Sequence, residues 1–256
     1  MNRAISYGVA ALAFACAALA WQIVAWYGGF PPKLVPGLGT IAATLVSLIR
    51  DGVLLVATAD TLYRLILGFV LAAAIGVPVG ILMGRYRWVE DSVLPVVSFF
   101  YPIPGLAYAP LFVLWFGLGD GPTILLIGIA SSFVVVLNTW QGVKTVKVIW
   151  LRSAEVMGAR GGRLFYKVIL PASLPYILVA LRLGLGNAWR LLIAVEMVMS
   201  VQQGLGWLIE GAQTFLNTDV MLSSIAVIGL IGLFMEKQIF ERVERYTLVH
   251  WGMMVA

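Results

Sequence analysis

The chain has 256 residues, of which 61% are apolar and only 11% charged, and its formal net charge is +5. Soluble domains are about half apolar and a quarter charged, so this composition excludes a water-soluble fold. The positive charge does not indicate a nucleic-acid partner, because no basic and aromatic patch lies on a soluble segment. The single cysteine, Cys16, excludes an internal disulfide, and no cluster of cysteine and histidine offers a metal-ligand set.

Apolar stretches long enough to cross a bilayer, about twenty residues each, recur along the chain. They predict an all-α membrane protein of about six transmembrane helices. The first stretch ends in Trp21, Trp26 and Tyr27, which is typical of a membrane interface, so we interpret it as a retained span rather than a signal peptide. The predicted spans are residues 5–27, 62–84, 93–116, 122–141, 174–199 and 220–236.

Two segments depart from simple spans. Apolar residues recur at helical spacing over residues 40–58, which predicts a short helix at the membrane interface or a buried partial span. In the third span, Pro102 and Pro104 lie close together. Each proline removes a backbone donor, so we predict a helix break there, which a membrane protein tolerates only against protein or a water-lined cavity.

Positive charge predicts the orientation. Lysine and arginine concentrate after the second span and in residues 142–171, whereas the opposite loops keep only Lys33 and Arg50, and residues 201–219 carry neither type. The positive-inside rule therefore places both termini in the cytoplasm.

Three glycines in the second span, Gly76, Gly80 and Gly84, repeat every fourth residue. Such a face lets another helix approach closely. It indicates either packing within one subunit or a subunit interface.

The longest cytoplasmic connection, residues 143–170, is not a flexible linker. Its apolar residues cluster at helical spacing on both sides of Gly158, which predicts two short helices with a turn at that glycine. An amphipathic helix in this position favours docking into a groove on a soluble partner. The pattern alone is equally consistent with a helix lying on the membrane surface.

This connection resembles the signature of bacterial importer permeases. Ala154 and Gly158 match it, and Gly158 is followed by nine residues and then by Val168, Ile169, Leu170 and Pro171. Within that superfamily the chain resembles the permeases of the sulfonate, taurine, nitrate and bicarbonate group. The similarity extends over residues 60–245, through the segments 64–84, 115–119, 138–140 and 194–197.

The resemblance implies a type I ABC importer permease core with a cytoplasmic coupling helix that enters a cleft on a separate ATPase. It divides the chain into an N-terminal span with an outer or interfacial segment (1–59), a permease domain (60–245) and a cytoplasmic tail (246–256). The residues that it assigns to ATPase coupling are Arg152, Ser153, Ala154, Glu155, Val156, Met157, Gly158 and Ala159.

The signature is not matched throughout. Its glutamate falls on Arg152 and its first alanine on Ser153, while Glu155 supplies an acid one helical turn later. We hypothesise that this charge reversal marks a dedicated ATPase partner.

Polar residues at bilayer depth are costly and usually face protein or water. The fifth span contains four: Arg182, Asn187, Arg190 and Glu196. We predict that they line or gate a translocation path, the arginines attracting an anionic solute, with a structural ion pair or headgroup contact as the alternative. Glu196 points away from the arginines, so we expect it to pair with another helix or with a second copy of the subunit. Arg64 is expected to cap the second span at the interface.

The sequence thus predicts the permease subunit of an ATP-binding-cassette importer in the bacterial inner membrane, conducting a small solute such as nitrate, bicarbonate, a sulfonate or taurine. The expected partners are ATPase subunits, a second permease copy, a periplasmic or lipid-anchored solute-binding protein, and lipid. No phosphate-binding loop occurs in this chain, so we expect no cofactor here and ATP with Mg²⁺ on the ATPase. The alternatives are a self-contained secondary transporter or channel, which would need coupling carboxylates, and an intramembrane enzyme, for which catalytic residues are lacking.

Overall fold

The computed structural model describes residues 3–199 and 203–240, and within them the chain is built from helices. The predicted all-α class is therefore confirmed. The predicted tail at 246–256 lies outside the described residues. In chain order the α-helices are α1 (Arg3–Tyr27), α2 (Leu38–Arg50), α3 (Val53–Arg85), α4 (Arg87–Phe100), α5 (Ala109–Phe116), α6 (Asp120–Lys144), α7 (Val148–Val156), α8 (Gly161–Leu164), α9 (Leu170–Met199), α10 (Leu205–Thr214) and α11 (Thr218–Phe234).

Four helices in the described part of the chain are long and apolar enough to span a membrane, or five spans if one bent pair counts as a span. This is fewer than the six expected. The difference lies in α1, whose described apolar part, Leu12–Tyr27, is shorter than a span. The four are Val53–Arg85, Asp120–Lys144, Gly161–Met199 and Thr218–Gln238.

The bent pair confirms the predicted break in the third span. Helix α4 ends at Phe100, a 3₁₀ helix follows at Gly105–Tyr108, and α5 continues from Ala109. The two arms, Arg87–Phe100 and Gly105–Phe116, are bent by 88°. Because Pro102 has no amide proton, the helical partner of the Ser98 carbonyl is missing, and α4 cannot continue.

The predicted single helix over residues 40–58 is wrong. Helix α2 ends at Arg50, and Gly52 turns the chain with a φ of +76°. Residues 53–58 then form the start of α3, which is 33 residues long. A left-handed residue cannot continue a helix, and glycine adopts that conformation without steric cost.

The described residues divide into two compact units, residues 3–59 with 203–230 and residues 60–199 with 231–240. In the first unit, side chains hold α2 in place. The Gln22 Oε1 accepts a hydrogen bond from the Leu38 amide at 2.8 Å, and the Thr44 Oγ1 donates to Asp219 at 2.6 Å. Helix α10 in this unit falls within residues 201–219, between the fifth and sixth predicted spans, and its Leu205 is fully buried.

In the second unit, the glycine stripe of α3 packs against α6. A Cβ on Gly76 would lie 2.6 Å from the Cβ of Val135, and one on Gly84 would lie 2.5 Å from that of Val143. The two helices are parallel, since both numbers rise together. Of the two interpretations of this stripe, the structure supports packing within one subunit.

Helix α9 packs antiparallel to α6 in the same unit. A Cβ on Gly184 would lie 2.5 Å from Val135, and one on Gly142 would clash with Tyr176. Val135 is therefore enclosed by α3 on one side and α9 on the other, and it is fully buried. This three-helix core fixes the position of the polar residues on α9.

A methyl group at the stripe is expected to destabilise the fold. In Gly80→Ala the new Cβ would lie 2.6 Å from the Thr139 Cβ and 2.7 Å from the Val136 carbonyl oxygen. We expect a loss of about 1–3 kcal/mol in the free energy of unfolding, because the helices must separate. Gly229→Ala is the matched control, since nothing lies within 4 Å of its Cβ. Equal thermal stability of the two purified variants would contradict the packing.

Candidate functional site

The predicted coupling residues 152–159 form the end of α7 and the turn that follows. Gly158 has a φ of +83°, its amide donates to the Glu155 carbonyl at 2.9 Å, and the Ala159 amide donates to the Ala154 carbonyl at 2.9 Å. This pair of bonds is a Schellman motif, which requires a left-handed residue at the position of Gly158. No atom lies within 4 Å of a Cβ there, so backbone conformation alone explains the glycine.

The tip of this segment is apolar and exposed. Val156 is 89% exposed and Met157 81%, whereas Ala154 is only 5% exposed. Residues Arg152, Ser153 and Glu155 are also exposed. Ala154 is thus on the side that holds α7 to its own chain, and Val156 and Met157 form a tip, called here the apolar tip, that no described residue covers.

The second short helix predicted after Gly158 is wrong. Helix α8, a π-helix at Phe165–Ile169 and α9 form one continuous 39-residue helix, Gly161–Met199. The Leu170 amide bonds to the Phe165 carbonyl, five residues back. That wider turn relieves the clash between the Pro171 ring and the preceding turn, so the helix continues past the proline. The coupling turn is therefore joined directly to the fifth span.

Glu196, near the far end of α9, is fully buried and paired. The Arg64 Nη1 donates to its Oε1 at 2.7 Å, and the Thr61 hydroxyl lies 3.1 and 3.0 Å from its two oxygens. The Arg64 Nε also donates to Asp120 Oδ1 at 2.7 Å. The expectation that Glu196 pairs with another helix is confirmed. Its predicted role as a gate is not tested by this contact.

Arg64 is only 3% exposed, so the expectation that it caps the span at the interface is wrong. It joins α3 to α6 and α9, because its partners lie at the start of α6 and near the end of α9. We call Thr61, Arg64, Asp120 and Glu196 the charge cluster. A buried ion is tolerated only when it is paired and hydrogen-bonded, and the cluster meets that requirement.

The two arginines of the fifth span differ in their surroundings. Arg182 forms an ion pair with Glu236 of the π-helix Met235–Phe240, and both side chains are partly exposed. This contact matches the structural alternative considered for Arg182. Arg190 is exposed, and within 3–199 and 203–240 no carboxylate lies within ion-pair distance of it.

Asn187 lies beside the broken third span. Its Nδ2 donates to the Ser131 Oγ at 3.2 Å. It also borders a cavity of about 310 Å³ that the break opens between α6 and α9. The residues lining the cavity are Tyr101, Pro102, Ile103, Pro104, Gly105, Tyr108, Ala130, Phe133, Val134, Asn187 and Leu191.

Comparison with known proteins identifies the family. The family described as binding-protein-dependent transport system inner membrane component matches residues 76–239. The chain belongs to this family. It is thus an inner-membrane permease component of an ABC importer, and the matched region includes α6, the coupling turn and α9.

Individual relatives agree with this assignment. The permease is 37% identical to the taurine transport system permease protein of Escherichia coli, over 84% of this chain and 80% of that one. It is 30% identical to the bicarbonate transport system permease protein of Synechocystis, over 71% of this chain and 65% of that one. A methionine ABC transporter in inward-facing conformations contains a chain of the same fold, with a TM-score of 0.65, 20% identity, and coverage of 76% and 96%.

Proposed function

We propose that this permease forms the solute path of an importer as a pair of identical chains, and that residues 152–159 dock into the ATPase. The observation that carries the proposal is the exposed apolar tip. The turn at Gly158 joins this tip to the helix Gly161–Met199, which contains the four polar residues of the fifth span. Closure of two ATPases would move the two coupling turns together, and each turn would carry its α9 with it. A solute-binding protein would deliver the solute from the opposite side.

Charge supports the orientation. Lys144, at the end of α6, lies shortly before the coupling turn in sequence and pairs with Glu90. Arg85, at the end of α3, lies over the Phe165 ring just after that turn, 5.4 Å from its centroid. Lysine and arginine mark the cytoplasmic side. We infer that this end of the helices faces the ATPases and the cytoplasm, with both termini on that side, and that the charge cluster lies at the outer end.

Exposure of Arg190 supports both a second copy and an anionic solute. An unpaired cation at bilayer depth needs water or protein beside it, because hydrocarbon cannot solvate it. A second permease chain facing α9 would enclose a wet path there, and Arg190 would attract an anion. The solute class that fits is a small anion such as a sulfonate, taurine, nitrate or bicarbonate, and the names of the taurine and bicarbonate relatives support it. Arg182 contributes less, because Glu236 already neutralises it.

The energy source in this proposal is the ATPase, which holds ATP and Mg²⁺, so the permease itself is not catalytic. Purified permease should hydrolyse no ATP. The complex reconstituted in liposomes should hydrolyse ATP faster when solute-loaded binding protein is added. If no tested solute stimulates hydrolysis, import is contradicted.

A self-contained secondary transporter remains the alternative that the same liposomes test. Such proteins couple to ions through carboxylates near the midplane. Glu196 is poorly suited to that task, because Arg64 and Thr61 already bond its two oxygens. Solute uptake by the permease alone, driven by an ion gradient, would favour this alternative.

Arg152 offers a test of ATPase choice. It stands where the family signature has glutamate, and its side chain is exposed. If the reversal marks a dedicated partner, Arg152→Glu should reduce co-purification of the cognate ATPase about three- to tenfold, the effect of one or two rim charges. Arg152→Lys keeps the charge and is the control. Unchanged assembly in the glutamate variant would remove the hypothesis.

A further inference from the structure

The cavity at the broken third span lies near the middle of the membrane helices. Ala130 and Val134 are ten and fourteen residues from the start of α6 at Asp120. With a rise of 1.5 Å per residue, they lie about 15–21 Å below that end. A volume of about 310 Å³ is at the small end of the range for ligand sites. The cavity thus lies at a depth that a transported solute must cross.

The break gives the cavity polar character. Pro102 and Pro104 supply no amide proton, and the 88° bend releases neighbouring backbone groups from helical pairing. Irregular backbone at this depth is stable only where it is buried in protein or faces water. Gly105 holds the bend against both neighbouring helices, since a Cβ there would lie 2.8 Å from Leu191 and 3.2 Å from Ala130.

Hydrogen-bonding side chains complete the lining, and none of them is charged. Asn187 keeps part of its amide free beside the cavity, because its only described bond is the one to Ser131. The Tyr108 hydroxyl is held by no more than a long contact of 3.4 Å to the Phe100 carbonyl, and Tyr101 is half exposed. Neither arginine of α9 lines the cavity. Arg190 lies three residues beyond Asn187, about 4.5 Å along the helix and 60° around it.

We propose that this cavity is the contact site for the polar head of the solute, and that it holds a compact oxyanion head of the sulfonate or carbonate class through uncharged hydrogen bonds from Asn187, Tyr101 and Tyr108. This assignment rests on the proposed function and adds its binding site. Arg190 attracts the anion toward the path but does not hold it. Neutral hydrogen bonds contribute little each, so the solute can leave, whereas a desolvated ion pair would trap it.

The test uses the full importer complex in native membranes, with Cys16→Ser as background and Asn187→Cys as probe position. The reagent is 2-sulfonatoethyl methanethiosulfonate, whose sulfenyl sulfur is attacked by the Cys thiolate. A mixed disulfide forms and methanesulfinate leaves, so atoms and electrons balance. The reagent itself carries a sulfonate head.

The inference predicts that the reagent modifies Asn187→Cys at least about tenfold faster than Ile225→Cys, which lies on the exposed face of α11. The reason is that the reactive thiolate forms only where water reaches the cysteine. Excess ethanesulfonate or bicarbonate should slow the reaction at Asn187→Cys, and excess choline, a cation of similar size, should not. Absence of modification, or modification that neither anion slows, overturns the inference.

Transport by three variants supplies the second measurement. Asn187→Gln should retain solute uptake, Asn187→Leu should lower uptake per ATP hydrolysed about tenfold, and Asn187→Asp should lower it further because it repels the anion. Co-purification of the ATPase should stay within about twofold in all three, since the coupling turn at residues 152–159 is unchanged. If the complex assembles and hydrolyses ATP but these variants transport normally, the site is wrong and the proposed function stands. If the permease without these substitutions does not assemble with an ATPase, the proposed function itself is wrong.

Discussion

Replacing Arg64 by methionine is expected to be the most damaging single substitution in this permease. The change would remove the Arg64 counter-charge from the fully buried Glu196 and leave Asp120 without its only ion-pair partner among the described residues. Removing one member of a buried ion pair costs about 3–5 kcal/mol, because the other charge stays desolvated. We expect Arg64→Met to lower the unfolding temperature of the detergent-purified protein strongly, or to prevent its accumulation in the membrane.

A second ion pair that involves α9, the helix of Glu196, is the natural control. Arg182 and Glu236 are both partly exposed, with side-chain exposures of 33% and 54%. Exposed pairs contribute about 0–1 kcal/mol, so Arg182→Met should change stability little. The double variant Arg64→Met, Glu196→Gln removes both buried charges and should recover part of the loss. Equal effects of Arg64→Met and Arg182→Met would show that the charge cluster does not hold α3, α6 and α9 together.

The cluster also shows what the sequence could not predict. Arg64 is 56 residues from Asp120 and 132 from Glu196. Helical periodicity says which face of a helix a residue lies on, but it does not say which helix lies opposite. The sequence indicated that Glu196 needed a partner on another helix or on a second copy of the subunit. It placed Arg64 at an interface because nothing local distinguishes a capping arginine from one that is buried and paired.

Features set by local backbone chemistry were predicted well. Pro102 and Pro104 predicted the break in the third span, because a missing amide proton acts wherever the residue lies. Gly158 predicted the turn after α7, and its left-handed conformation explains why. The glycine stripe on α3 predicted a close helix contact, although the partner helix α6 became known only from the structure.

Predictions failed where wider context overrides a local signal. The sequence predicted a second short helix after Gly158, separate from the fifth span, yet the π-helix at Phe165–Ile169 lets the chain continue through Pro171 into α9. The sequence predicted residues 53–58 as part of an interfacial helix. The left-handed conformation of Gly52 ends α2 before them, and they form the first residues of α3. The cavity beside Asn187 could not be predicted, since its lining comes from three separate segments.

The apolar tip carries the second large prediction, because the proposed function depends on it. Val156→Glu with Met157→Glu places two charges on a surface that must lose its water when the ATPase binds. Burying an unpaired carboxylate costs several kcal/mol, and each 1.4 kcal/mol is tenfold in affinity. We therefore expect co-purification of the ATPase to fall at least about a hundredfold, and solute transport to fall with it.

The stability of the permease itself should not change in this variant. Val156 and Met157 are 89% and 81% exposed, so their side chains contribute little to the fold. Unfolding temperature in detergent distinguishes a lost interface from a lost fold. Two controls separate charge from shape: Met157→Leu keeps the apolar surface, and Glu155→Gln removes a charge from the same exposed turn. Both should retain ATPase binding within about twofold.

The same variant distinguishes the two locations that the sequence left open for this helix, a groove on the ATPase and the surface of the membrane. A helix that lies on the lipid surface would also lose affinity when its apolar tip gains charge, but it would lose affinity for lipid vesicles and not for the ATPase. Because residues 152–159 are joined through the turn at Gly158 to the continuous helix Gly161–Met199, force applied at an ATPase groove would reach Asn187 and Glu196 along one rigid element. If the double variant Val156→Glu, Met157→Glu still binds the ATPase, the apolar tip is not the docking surface, and the proposed transmission of force from the ATPase to α9 is wrong.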